Sequence, residues 1–555
     1  MMLKTSSRKI NPFFGMLSFT VRKNFGITVI LCIISLLYCP GNLLIELAEV
    51  NYDFSFFNMD YIEYFAFVVS AFAGAAVVIF NILNFSFLYK KSSCDVFHSL
   101  PLTRSELLLS RSLAGIISTL IPVILCYVSY GILCTIYPPL GELGQLAYYL
   151  LHTVLIILVS SSFSLIFIVS AGSIFDLVVS LVGVNVALLL IGEIFTYILS
   201  ETLIGYSNNY SLGIMYNLSP VYMCARSVNS AADVMNYGVS SNSIEFFIRS
   251  AIYIAVFTLA VLLLYNYRKS EKCGQGYAYK FMFIICSLLA GICGGFVIGM
   301  MFANYGFDKI IFWVYTLVGA VLISVIYGVV SNRGFKKVTN SIITGVGAFA
   351  IIGLVALIGV TGCFGYSRRV PEVDAVELAY IDFDGDYIRF ENPEKVIALH
   401  NDIIAKEAFD NYDMRIKFEY ELKNGKDMSR LFYVNSSELS ESLIEIYKSD
   451  ERIQKMFDYI DNDISAITVE CYDDYGLHSV NITKNQAYEF FQEYKKDLKN
   501  CDVSIINQDP QIWYDFTVIT KDEDYYHFCV DIFKDFTNSE QYIADNFVFE
   551  TVNPY

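Results

Sequence analysis

Few side chains in this sequence are placed to do chemistry, and two groups of them adjoin or interrupt long apolar runs. The first is a charged insert, Tyr89–Arg111, reading YKKSSCDVFHSLPLTRSELLLSR. Ser92 with Asp95 has the spacing of a capping box, and so has Thr103 with Glu106, just before the apolar run that opens at Leu107. Pro101 divides the two signals, because a proline removes an amide donor and pushes Leu100 away from helical dihedrals. The pattern predicts a stub helix of about two turns, roughly 10–12 Å long, over Ser93–Leu100, and a new helix from about Thr103. Val96, Phe97 and Leu100 give the stub one small apolar face. That shape suits a groove on a soluble partner, with Phe97 and Leu100 filling it and Asp95 and Arg104 setting the orientation. The work done there would be transmission of movement, with no covalent step.

The second group is Glu193, a carboxylate inside an apolar run, with Asn185 two turns before it and on roughly the same face. A charge at the centre of a bilayer costs about 2.5–3.5 kcal/mol. Glu193 therefore either reaches the outer headgroups or, with Asn185, lines a substrate path. Catalytic motifs are missing: there is no G-x-x-x-x-G-K-[ST], H-E-x-x-H or G-x-S-x-G. Gly274-Gln275-Gly276 reads as a loop spacer. His400, His478 and His527 lie far apart in sequence and read as ordinary core or surface histidines, and no metal-ligand spacing occurs.

The elements that must position these residues are membrane spans. The chain is 55% apolar and 17% charged over 555 residues, with a mean hydropathy of +0.49, which a soluble enzyme of this length rarely shows. Nine stretches reach spanning length for a bilayer core of about 30 Å: near Phe25–Ile45, Tyr64–Leu88, Ser112–Tyr137, Leu146–Ser170, Ile174–Ser200, Phe246–Tyr265, Phe281–Phe302, Ile310–Val330 and Ser341–Gly362. Pro40 is expected to kink the first, and Ala171–Ser173 joins the fourth to the fifth as a tight hairpin. No cleavable signal peptide is expected at the basic start. The glycines of Gly291–Gly299 read as close helix packing.

Charge orients the spans. With a cytoplasmic N-terminus, 16 of the 19 Lys and Arg before Tyr366 fall in inside segments, and only Arg226, Arg249 and Lys309 do not. Nine crossings then leave the C-terminus outside. From Tyr366 onward the chain carries 19 Lys and Arg against 40 Asp and Glu, a net charge of −21, while the preceding part carries 19 against 15, a net of +4. The last third thus reads as a separate acidic domain outside the cell, unsuited to nucleic acid. The thirteen cysteines form no framework: most are small apolar packers within spans, Cys94 and Cys273 face a reducing cytoplasm, and Cys471, Cys501 and Cys529 are odd in number.

That domain reads as α+β. Val376–Phe383 is a strand and Asn392–Phe409 a helix entered through Pro393. A hairpin of Arg415–Leu422 and Ser429–Val434 turns at Lys423-Asn424-Gly425-Lys426, where Asn-Gly suits a type I′ turn. Asn435 with Glu438 opens a helix to about Tyr447. Strands Ile467–Tyr472 and His478–Ile482, a Thr483-capped helix to Leu498, and strands Ile512–Thr520 and Tyr525–Phe533 repeat the order and suggest an internal duplication.

The insert DVFHSLPLTRSELLLSR resembles the loop between the second and third spans of ABC-2-type transporter permeases, where a phrase of the form "lPltR.EL" follows the helix that docks on the ATPase. The layout is similar too: a cytoplasmic amphipathic start (1–24), a six-span core (25–267) with the coupling loop at 89–111 and an outer segment at 201–245, three more spans (280–364), and an extracytoplasmic domain (366–555). RRVPEVDAVELAYIDF followed by ENPEKVIALHNDII is similar to the start of a C-terminal domain of unknown function in a Gram-positive branch of these permeases. The resemblance implies a non-enzymatic permease subunit of the cell membrane, exporting a substrate or clearing it from the bilayer. It implies ATP and Mg on separate cytoplasmic ATPase subunits, no cofactor on this chain, and a second permease half from another copy or a sister chain. Asp95, Val96, Phe97, Leu100, Pro101, Leu102, Thr103, Arg104 and Glu106 would couple to the ATPase. The rival reading is a membrane sensor whose outer domain binds a ligand such as an antimicrobial peptide. An ion-coupled carrier is disfavoured by the scarcity of ionisable groups and broken helices in the spans.

Overall fold

A computed structural model of the protein describes residues 12–41, 43–45, 60–137, 140, 142–207, 218–226, 241–274, 276–304, 306–307, 309–335, 338–383, 386–406, 412–461, 464–473, 476–508, 511–520 and 525–551. The chain divides into two compact units, Met1–Tyr197 with Ser211–Leu354 and Ile198–Tyr210 with Val355–Tyr555.

Among the described residues, nine helices are long and apolar enough to cross a membrane. They are α1 (Pro12–Leu36), α2 (Asp60–Phe85), α4 (Arg104–Ile136), α5 (Leu143–Ser170), α6 (Ile174–Thr202), α7 (Ser241–Tyr267), α8 (Lys280–Phe302), α9 (Ile310–Ser331) and α10 (Val338–Val360). The short α3 (Lys91–His98) lies between α2 and α4 in sequence. Helix α1 is described from Pro12, well before the expected Phe25. Its buried stripe, Met16, Thr20, Asn24, Thr28 and Ser35, runs at near four-residue spacing, and Asn24 donates from Nδ2 to Ser118 Oγ of α4 at 3.3 Å. This polar stripe extends the helix backward through Arg22 and Lys23. The kink expected at Pro40 is a π-helical turn, Leu37–Gly41. The glycines of α8 do allow close packing: a Cβ on Gly295 would lie 2.8 Å from Ala320 of α9.

The C-terminal unit holds two antiparallel sheets. β1 (Val376–Phe383), β2 (Asp386–Phe390), β3 (Met414–Leu422) and β4 (Asp427–Val434) are ordered β2-β1-β3-β4. β5 (Ile464–Asp473), β6 (Gly476–Ile482), β7 (Ile512–Thr520), β8 (Tyr525–Ile532) and β9 (Glu550–Thr551) are ordered β8-β7-β5-β6-β9. Helices α11 (Glu394–Ala405) and α12 (Ser440–Tyr447) belong to the first sheet, α14 (Lys484–Asn500) and α15 (Thr537–Asn546) to the second, with α13 (Asp450–Asp461) between them in sequence. Each set thus runs hairpin, helix, hairpin, helix, with the first strands of the two hairpins paired at the centre of the sheet. The register breaks at the same place in both, between Val376 and Leu378 and between Ile464 and Ala466. The hairpin–helix order read from the sequence thus recurs in both sheets, with a register irregularity at the same place in each.

Several local readings change. β2 is a fourth strand in the first repeat that the sequence pattern missed, because its five residues are too short for alternation to register. Helix α11 is described only to Ala405, and Phe409 lies outside the described residues. Asn435 caps a 3-10 turn through Ser437 N at 3.0 Å, so Glu438 is not the partner. The Asn-Gly hairpin is not type I′, which needs positive φ at both residues. Only Gly425 has it (φ +72°), and Gly425 N donates to Leu422 O at 2.8 Å, the pattern of a type I turn with a glycine bulge. Cys471, Cys501 and Cys529 are free thiols.

Candidate functional site

The insert is built around its second start signal. Thr103 caps α4: its hydroxyl accepts from Glu106 N at 3.2 Å, and the Glu106 carboxylate accepts from Thr103 N at 2.8 Å. The Ser92–Asp95 signal forms no cap. Helix α3 begins at Lys91 after an uncapped Lys90, so Ser92 lies inside the first turn, and the helix ends at His98, short of Leu100.

Three arginines fix this region, each bonded to carbonyls at the C-terminal end of another long helix. Arg104 donates to Asn266 O at 2.9 Å and Arg268 O at 2.6 Å, at the end of α7. Arg111 donates to Asn84 O, at the end of α2, and Asn84 Nδ2 returns a bond to Arg111 O at 3.2 Å. Arg268, only 2% exposed, donates to Ile168 O at 3.2 Å and Val169 O at 2.5 Å, at the end of α5, and to Leu88 O at 3.0 Å. The last carbonyls of a helix have no intrahelical donor and carry the negative end of its dipole, so a guanidinium satisfies both needs together. The loop after α7 closes the same end. Gly172 N donates to Gly276 O at 2.7 Å, and Ala278 N donates to Ser170 O at 2.8 Å. The expected α5–α6 hairpin is therefore pinned by a strand-like bridge.

Helix α3 is attached to this platform by its inner face. Cys94 is fully buried, and burial and then the adjacent Cys273 thiol push it up to about 11. The His98 ring sits 3.2 Å from both Ser270 Oγ and Tyr265 Oη. Phe97 lies under the Arg111 guanidinium, 4.0 Å from the ring centroid, and 4.7 Å from the Phe87 ring. Leu100 and Leu102 pack against the same apolar cluster. Within the chain, Phe97 and Leu100 are partly buried against this cluster, and Arg104 bonds the end of α7. A single small apolar face could as well turn inward as outward, and the guanidinium that decides it lies fourteen residues away in sequence at Arg111. What remains outward is Lys91, Ser92, Asp95, Val96 (62% exposed), Ser99, Pro101 and Thr103.

Burial, then the charges of Arg104 and Arg268, lower the His98 pKa below its usual value near 6.5. The neutral ring is thus the bound form, and the attachment it provides is present above pH 6.5 and weakens as pH falls below it. Amide exchange over 94–98, corrected for intrinsic rates, should be faster at pH 5.5 than at pH 7.5. His98→Gln should remove the difference; an unchanged difference would discard this role.

Asn185 and Glu193 are not brought together. Asn185 is half-buried, accepts from Ser219 Oγ at 3.2 Å, and lines a cavity of about 520 Å³ with Ser70, Gly74, Ser160, Phe163 and Cys224. Glu193 is exposed and is not among the residues lining that cavity. Eight helical residues advance about 80° beyond two full turns, enough to put the two on different faces. Among the described residues no group of three or more His, Cys, Asp or Glu could hold a metal ion. Of the three histidines in the C-terminal unit, His400 is a fully buried core residue, while His478 and His527 lie on separate strands.

Comparison with protein-family models, with characterised proteins and with solved structures finds no match to this chain.

Proposed function

We propose that this chain is the permease subunit of an ABC-type transporter, working with a separate cytoplasmic ATPase and a second permease half. The observation that carries the reading is the two-sided α3. A helix of two turns has no stability of its own, yet this one is tied through Phe97, His98 and Cys94 to the ends of the long helices, and its other face is left outward. Such an element passes a push from a soluble partner into several helices at once. The gathering of Arg104, Arg111 and Arg268 with the lysines beside them supports a cytoplasmic position for this end. On this reading the acidic C-terminal unit is extracytoplasmic. The cavity beside Asn185, apolar but for a few hydroxyl and amide groups, suits an amphiphilic substrate taken from the bilayer.

The test separates the two faces of α3. Val96→Asp should leave the chain folded and reduce the ATPase copurified from native membranes at least tenfold, since losing a buried aliphatic contact costs about 1.5–3 kcal/mol. Phe97→Ala should first loosen α3, seen as faster alkylation of Cys94. Full ATPase stoichiometry and substrate-stimulated hydrolysis with both Val96→Asp and Asp95→Lys would overturn the proposal.

A further inference from the structure

The duplication in the C-terminal unit makes each repeat a guide to the other. In the first repeat the free side of edge strand β4 is occupied by the chain itself: Leu431 N donates to Gly205 O at 3.4 Å, and Ser429 Oγ bonds Ser207 Oγ at 2.8 Å. Gly205 sits there at φ +76°, and a Cβ on it would lie 2.9 Å from the Phe432 ring, so the segment is shaped for close approach to the strand. The corresponding strand of the second repeat is β8. The hairpin pairs Met414↔Val434 and Ile512↔Ile532 correspond, as do Glu421↔Asp427 and Ile519↔Tyr525, so Leu431 corresponds to Cys529. Cys529 is exposed, its amide takes the place of the one that donates to Gly205 in the first repeat, and no described residue pairs with the free side of β8. The opposite edge of this sheet, β6, is covered by β9. An unpaired edge of this kind is a template for strand addition.

The face of the sheet turned away from its helices is acidic beside this edge. Glu470 stands opposite Asp515, Asp515 opposite Cys529, and Trp513 opposite Asp531. Like charges directly opposite each other are unfavourable; Asp515 accepts from the Cys529 thiol and lies 4.0 Å from His527 Nε2, and a cation brought alongside would relieve the repulsion that remains. Burial together with Asp515 and Asp531 pushes the Cys529 thiol up to about 12. Trp513 is 48% exposed on the same face and offers a ring to a cationic side chain.

We infer that β8 binds an extended cationic peptide segment as an added strand, as β4 binds Gly205–Ser207. The inference rests on the duplicated sheets and is independent of the permease reading. The test uses the full chain in detergent and a labelled nonapeptide of alternating Lys and Val. It should bind with saturation, and Cys529→Pro should weaken it at least tenfold. Proline at that edge removes only the outward amide, so Cys529→Ala should bind as the parent does. The same peptide N-methylated at alternate amides, and a Glu–Val peptide, should each bind at least tenfold more weakly. In the unaltered protein the Cys529 amide should exchange more slowly when the Lys–Val peptide is present, a readout that does not depend on Cys529→Pro folding. Equal binding of the N-methylated peptide would reduce the effect to charge, and equal binding of the Glu–Val peptide would remove the cationic preference. Unchanged exchange at Cys529 would overturn the proposal, as would pairing of β8 with a second copy of the chain.

Discussion

Arg268→Met is expected to release the inner face of the platform, raising the alkylation rate of Cys94 in the otherwise native protein roughly 100-fold. The guanidinium bonds three carbonyls from two segments, and each hydrogen bond to a charged group is worth about 1.5–3 kcal/mol net. Methionine fills much of the same volume without a donor, so the Val169 and Leu88 carbonyls lose this partner and Ile168 O keeps only the Tyr89 hydroxyl, which donates to it at 3.1 Å. A net loss of about 3 kcal/mol corresponds to roughly two orders of magnitude in the opening equilibrium. Cys94 is a suitable reporter because it is fully buried on the inner face of α3 when the platform is closed. Arg268→Lys should recover part of the effect, as one ammonium cannot span carbonyls that the planar fork reaches together. Alkylation of Arg268→Met at the parent rate would show that these bonds do not hold the platform.

The first repeat of the C-terminal unit should lose stability in mild acid, and His400 should be the cause. Its ring stacks on Phe418 at 4.7 Å and meets Tyr420 Oη at 2.9 Å. Burial, then the charge of Arg430, depresses its pKa to about 3. The folded repeat therefore keeps this imidazole neutral, while the unfolded chain takes up a proton below about pH 6.5. Its contribution is complete above pH 6.5 and is lost steadily as pH falls toward the folded value. Between pH 7 and pH 5 the loss is about 2 kcal/mol, or roughly 30-fold in amide protection across β3 and β4. His400→Phe keeps the stacking and removes the titrating group, at the cost of the Tyr420 bond, so its protection should be nearly flat over that range. Parallel acid loss in both proteins would assign the effect to other groups.

How much of this was legible in sequence depended on whether the deciding contact was local. The caps at Thr103 and Thr483 depend on side chains three residues apart, and both are formed. The nine apolar helices follow from length and composition, and the repeated hairpin order from turn residues. The direction of Phe97 depends on Arg111, and the path of Gly205–Ser207 along β4 depends on residues more than two hundred positions away. The arginines carried a second meaning that charge counting could not give. Read as topology signals, Arg104, Arg111 and Arg268 are interchangeable positive charges. In the fold each has its own helix end.

Those three attachments also set how movement would propagate. Arg104 and Arg111 are both on α4, one turn and more apart, and they hold its first turns against the ends of α7 and α2. From there α4 continues to Ile136, a helix of 33 residues and so about 50 Å long. Pro122 lies inside α4 and removes one backbone bond there, so the stiff arm beyond the clamp runs from the arginines to Pro122, about 27 Å from Arg104. A tilt of about 5° at the arginines, too small to break their bonds, would carry the end of that arm through roughly 2 Å. The bonds that hold the helix ends together would thus be what turns a small local displacement into a larger one at a distance.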